Sequence, residues 1–156
     1  METVSRVVHA PASAVLAVLA DGWSYASWVV GASRIEGVDP SWPEQGSRIA
    51  HSVGPWPAVI DDITVSRGWD PEHGIRLRAR GWPLGEALIV VHVEPLGDDR
   101  CRVEFAEDAS SGPGRLVPPP LRHLVLRWRN IETVKRLALL AERPSPEVGR
   151  HPHPER

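Results

Sequence analysis

Hydrophobic and polar positions follow two different periods along this chain. Over Thr3–His9 the β-branched Val4, Val7 and Val8 stand among the polar Thr3, Ser5 and Arg6, which predicts a strand ending before Ala10-Pro11. Pro11 suits the first turn of a helix because its ring already fixes φ at a helical value. Val15, Leu16, Val18 and Leu19 predict a short, one-sided helix over Ala12–Ala20, broken at Asp21-Gly22. A second short helix is expected over Trp23–Val30, stopped by Gly31. From Ser33 onward the period becomes two. Strands are expected at Ser33–Val38, Ser47–Val53, Ala58–Trp69, Ile75–Trp82, Glu86–Glu94 and Arg100–Asp108, separated by turns rich in Gly, Pro and Asp. Short turns pair such strands antiparallel, and alternation along them leaves one face buried and the other wet.

A Gly/Pro/Ser-rich connector over Ala109–Pro120 precedes the one long helix, expected over Leu121–Glu142 between Pro118-Pro119-Pro120 and Pro144. Its apolar stripe is read as Leu124, Trp128, Ile131, Val134, Ala138 and Ala141, with Arg122, Arg129, Glu132 and Arg136 opposite. Residues 143–156 carry four prolines and no apolar period, so they are read as a disordered tail on a domain of residues 1–142. The expected fold is α+β: one strand, two short helices, six more strands, then a long C-terminal helix. A sheet with one apolar face and one amphipathic helix must bury the two against each other. If the roughly seven-stranded sheet is strongly curved, the space between them need not fill completely.

This order, and several of its motifs, resemble the START/polyketide-cyclase-like superfamily, also known as SRPBCC or helix-grip proteins. Val7-Val8-His9-Ala10-Pro11 with Val15 and Leu19 is similar to that family's opening strand and helix, and Trp23–Gly31 to its short second helix. His51–Pro57, Arg78–Pro83 and Arg129–Thr133 resemble an actinobacterial-type subgroup. The resemblance covers Val4–Glu142 and implies a curved antiparallel sheet wrapped around the long helix, with an apolar ligand cavity between. It does not imply one reaction, because the superfamily includes lipid carriers, hormone receptors, polyketide cyclases and quinone-binding factors.

Composition narrows the function classes. Eighteen Lys and Arg against twenty Asp and Glu give a formal charge of −2, so the chain as a whole has no general pull toward nucleic acid or an anionic membrane. A single cysteine, Cys101, excludes an internal disulfide and a multi-cysteine metal site, which fits a reducing cytoplasm. Met1–Ala10 has no continuous apolar run of the secretory kind, and no stretch reaches the roughly 20 apolar residues of a membrane-spanning helix. No phosphate-cradling loop, nucleophile elbow or zinc motif is present, so no cofactor and no metal is expected.

Polar residues in inward phase are the chemical candidates, because a buried polar group needs a partner or a ligand. His51 shares a strand face with Ile49 and Val53 and is the first candidate for a proton-transferring group or hydrogen-bond anchor. Asp61 shares a face with Val59, Ile63 and Val65, and Glu107 continues the phase of Cys101, Val103 and Phe105. Either carboxylate near His51 would make a proton-transfer pair. Arg127, beside Ile131 on the helix, would favour a ligand oxygen carrying negative charge. Each of these also fits a solvated or charge-paired structural role. Seven tryptophans against one Phe and one Tyr are unusual. Trp23, Trp28, Trp56 and Trp82 fall near element ends, where they could stack on a planar ligand or simply fill the core. Three functions follow: binding of a small hydrophobic or aromatic molecule of lipid, polyketide or quinone type; an aromatase/cyclase-like enzyme using His51, Asp61, Glu107 or Arg127; or an interaction protein whose interior is filled by its own side chains. Oligomeric state is left open.

Overall fold

The computed structural model describes residues 1–54, 56–81, 85–111, 116 and 118–144. Its elements run β1 (Glu2–Val8), α1 (Ala12–Ala20), a 3-10 turn (Gly22–Ser24), α2 (Tyr25–Trp28), β2 (Ala32–Val38), β3 (Arg48–Val53), β4 (Ile60–Asp70), β5 (Gly74–Gly81), β6 (Gly85–Pro95), β7 (Cys101–Ser111) and α3 (Pro119–Ala141). Residues 145–156 of the expected tail, Trp82, and residues 112–115 and 117 of the expected connector lie outside the described residues.

One antiparallel sheet holds all seven of these strands in the order β1-β7-β6-β5-β4-β3-β2. The chain therefore crosses once from edge to edge through α1 and α2, then returns as a meander. Register shifts at Ala32/Arg34, Ile35/Gly37, Ser66/Gly68 and Glu86/Ala87 interrupt the ladders. Such bulges raise local twist and curl the sheet. The β4–β5 turn closes on Gly74, whose φ is 128° and where an added Cβ would lie 2.0 Å from the Val91 carbonyl oxygen. Only glycine fits there.

Helix α3 packs on β1, β7, α1 and α2. Its direction is set by two contacts: His123 Nδ1 meets Glu2 Oε2 at 3.2 Å, and the His9 backbone N–H donates to Glu142 Oε1 at 2.9 Å. The helix thus runs parallel to β1 and gives the molecule two different ends. At one end Val8, Val15, Leu16, Leu19, Val93, Cys101, Val103, Leu137, Ala138 and Ala141 form an apolar core. At the other end lie the start of α3, the start of β1 and β4, the ends of β3, β5 and β7, and the β3–β4 turn.

Two expected phases are corrected here. On β4 the buried positions are Thr64 and Ser66, with Asp62 partly buried, whereas Asp61 and Ile63 face out. On α3 the buried face is Asn130, Thr133, Val134, Leu137, Ala138 and Ala141, whereas Leu124, Trp128 and Ile131 are exposed. Between Leu121 and Ile131 the apolar residues surround the helix, so periodicity there does not choose a face. The choice falls to Asn130 and Thr133, which have partners inside.

Candidate functional site

The second end is polar within. Tyr25, the first residue of α2, reaches Thr64 on β4 with Oη and Oγ1 2.9 Å apart. His51 on β3 approaches the same hydroxyl from the other side, with Nε2 at 2.9 Å. The Tyr25 and His51 rings lie 5.1 Å apart between centroids, and Trp28 meets Tyr25 edge-on at 5.4 Å. All four side chains are buried. Asp62 is the cross-strand neighbour of His51.

Three buried polar atoms in this group have no partner: Trp28 Nε1, His51 Nδ1 and Asp62 Oδ2. They are the only such side-chain atoms among the described residues. Nearly all buried polar groups in folded proteins are satisfied, so three left without a partner in one group of side chains make this interior the candidate site. Their chemistry is mixed. The Trp28 indole N–H donates only, and an ionised Asp62 oxygen accepts only. His51 Nδ1 can do either. When Nε2–H donates to Thr64 and Thr64 donates to Tyr25, Nδ1 is a bare acceptor. When Tyr25 donates to Thr64 and Thr64 donates to Nε2, Nδ1 carries the proton. The two hydroxyls can turn together, so the relay supports both tautomers.

Electrostatics reinforce this. Burial lowers the pKa of His51, against the opposing pull of nearby Asp62, the Ser52 backbone and Glu36, which keeps the ring neutral near pH 7. Burial also raises Asp62, opposed by the Ile63 N–H that bonds Oδ1 and by His51. Tyr25 is pushed up to about 12, mainly by burial, and so remains a protonated phenol.

A second cluster lies beside the first. Glu107 on β7 is buried and is met by the Arg129 guanidinium. Asn130, with its amide nitrogen turned inward, donates to Glu107 Oε2 at 2.7 Å and to the Leu126 carbonyl at 3.2 Å. Thr133 Oγ1, one turn on, accepts the Val30 N–H at 3.3 Å. The charges of Arg129, Glu107 and Asp62 all bear on Tyr25, so both clusters share one interior.

The sequence candidates are therefore distributed unevenly. His51, Trp28, Phe105 and Glu107 are buried at or beside this interior. Asp61 faces outward and accepts a 3.3 Å bond from Ser52 Oγ, because strand parity gives the inward place to Asp62. Arg127 and Ile131 are exposed, because the buried face of α3 is rotated away from them; Arg129 is the arginine that turns in. Trp56 is 88% exposed on the β3–β4 turn. Trp82 lies outside the described residues. Tyr25, Asp62, Thr64 and Arg129 were not singled out from sequence. Tyr25 carried the clearest available signal, as the chain's one tyrosine three residues before Trp28 on a short helix. Two surface depressions lie elsewhere, one around Arg67, Arg76, His73 and His92, the other between α1 and Pro71, and neither includes the polar interior.

The family model described as "Polyketide cyclase / dehydrase and lipid transport" matches residues 3–141. The chain belongs to this family. No curated protein matches it. Among solved structures it is similar to a conserved protein from Geobacillus kaustophilus, at 14% identity and TM-score 0.69, covering 89% of this chain and 93% of that one. It is also similar to the Zhui aromatase/cyclase from Streptomyces sp. R1128, at 20% identity and TM-score 0.66 over 90% and 92%. Ara h 8.0201 matches at 10% identity and TM-score 0.64 over 89% and 95%. At such identities these likenesses show the fold. Within the family, the described residues contain no group of three or more His, Cys, Asp or Glu able to hold a metal, and no helix long and apolar enough to cross a membrane.

Proposed function

We propose that this protein binds a small, mainly apolar molecule inside the curled sheet, with the polar end of the ligand seated on Trp28, His51 and Asp62. The observation that carries the reading is the cluster of three buried, unpartnered atoms. Together they ask for a ligand with at least one oxygen that accepts from the indole N–H and one hydroxyl that donates to Asp62 Oδ2 or His51 Nδ1. A hydroxylated, carbonyl-bearing aromatic or polyketide-like molecule has that chemistry, whereas a plain hydrocarbon does not. The family's association with polyketide and lipid ligands supports the same class.

Catalysis is the second reading, favoured by one specific feature. A neutral His51 with a free Nδ1, backed by the Thr64–Tyr25 relay, is arranged to take a proton from a bound molecule and return it. Asp62 next to it would stabilise the imidazolium so formed. Similarity to Zhui, an aromatase/cyclase, is consistent with this chemistry.

Native mass spectrometry of the purified chain, with tryptophan-fluorescence titration of a fatty acid, a flavonoid, a quinone and an aromatic polyketide, tests the binding reading. A one-to-one adduct with the hydroxylated aromatics is expected. No adduct and no quenching with any of them would make the interior a filled core. Turnover of a bound polyketide that is lost in His51→Leu would move the assignment to the enzyme.

A further inference from the structure

Large apolar side chains are exposed in a concentrated way at one end of this molecule. Leu121, Leu124, Val125, Trp128 and Ile131 stand out from the outer face of α3, with Leu124 and Trp128 each 67% exposed. Trp56 joins them at the same end, since the Gly54 N–H bonds the Gly31 carbonyl while the adjacent Val30 N–H reaches Thr133 on α3. Large apolar side chains grouped on one exposed helix face, as on α3, mark a place where something docks.

Charge identifies the occupant. From Ala109 to Ile131 the sequence holds four arginines and no Asp or Glu, in a chain whose overall charge is −2. Arg129 is engaged by Glu107 and His123 by Glu2. Arg127 is exposed next to Trp128 in sequence and three and four residues from Leu124 and Ile131, and no described carboxylate lies within ion-pair distance of it. Glu132, four residues past Trp128, is already engaged by Lys135 and Arg136, so a two-fold contact with a second copy would bring no free carboxylate to answer the arginine. A bilayer bearing anionic headgroups answers both features: Leu and Trp side chains enter the acyl boundary while arginine stays among the phosphates.

We propose that the outer face of α3, with Trp56 on the neighbouring turn, docks on an anionic lipid surface. It is a peripheral contact, formed outside the sheet and independent of the interior polar site. The end that docks is also the end nearest His51, Asp62 and Glu107, which would place that interior next to a membrane-dissolved ligand.

Co-sedimentation of the full chain with phosphatidylcholine vesicles, and with an equal mixture of phosphatidylcholine and phosphatidylglycerol, is the test. Binding to the mixed vesicles only is expected, with loss at high salt. Leu124→Glu/Trp128→Glu should abolish it without changing the melting temperature, because both side chains are solvent-facing. Arg127→Glu should weaken it by roughly tenfold or more. His51→Leu should leave it unchanged, which separates this surface from the ligand reading. Absence of binding to mixed vesicles, equal binding by the Leu124/Trp128 variant, or a dimer in light scattering that this variant dissolves would each overturn the proposal.

Discussion

Removing one hydroxyl should expose how much the interior relay contributes. Thr64 is fully buried, and its Oγ1 is the described partner of both Tyr25 Oη and His51 Nε2, each at 2.9 Å. Thr64→Val keeps the side chain's shape and deletes both bonds at once. Each buried group left unsatisfied costs about 1–3 kcal/mol, and two are orphaned here. Exchanging a hydroxyl for a methyl in a buried site returns about 1 kcal/mol. The expected net loss is therefore about 1–5 kcal/mol, or roughly 2–20 °C in melting temperature for a chain of this size. Thr64→Ser retains the hydroxyl and removes one methyl, so its loss should stay near 1 kcal/mol. Urea unfolding followed by circular dichroism, with unchanged m-values, measures both. A Thr64→Val loss below about 0.5 kcal/mol, or one no larger than that of Thr64→Ser, would refute the relay.

Other substitutions test the remaining parts of the interior. Arg129→Ala strands the buried Glu107 carboxylate and should cost about 3 kcal/mol, whereas Arg127→Ala should fall within about 0.5 kcal/mol of the parent in the same unfolding assay. His51 has a folded pKa below its unfolded value, so the unfolded state binds more protons as pH falls below about 6.5. Stability should drop from pH 7 toward pH 5, and His51→Gln should flatten that slope in pH-dependent unfolding. Asp62 has the opposite sign: its folded pKa is raised, so its ionisation opposes folding above the ordinary carboxylate range, and Asp62→Asn should be more stable at pH 7. Gly74→Ala should cost about 3 kcal/mol or more, since both its backbone conformation and the Val91 carbonyl oppose a Cβ.

Much of the fold could be read because its strands alternate and its turns are punctuated. Ala12–Ala20 was expected and found as a helix, and β2, β3 and β6 begin and end within a residue or so of where alternation places them. Failures came where the interior is polar. Val59, Ile63 and Val65 look like a core face beside Asp62, Thr64 and Ser66, yet parity runs the other way, because this end of the sheet buries hydrogen-bonding groups. A rule that places apolar residues inside then selects Asp61 over Asp62. On α3 the same rule chose Leu124, Trp128 and Ile131, which instead form an exposed face, and so it favoured Arg127 over Arg129. Both misreadings fall where apolar-inside fails as a guide: β4 buries polar side chains, and the first half of α3 exposes apolar ones.

The ring nitrogens of His51 offer the most direct measurement of the ligand seat. Long-range nitrogen–proton NMR of the nitrogen-labelled protein reports the tautomer and bonding of each imidazole. Titration with a hydroxylated flavonoid should shift the Nδ1 resonance of His51 as it gains a partner, while the exposed His73 and His92 stay in place. A flavonoid that binds yet leaves Nδ1 unmoved, or no binding by any ligand of that class, would contradict a seat built from Trp28, His51 and Asp62.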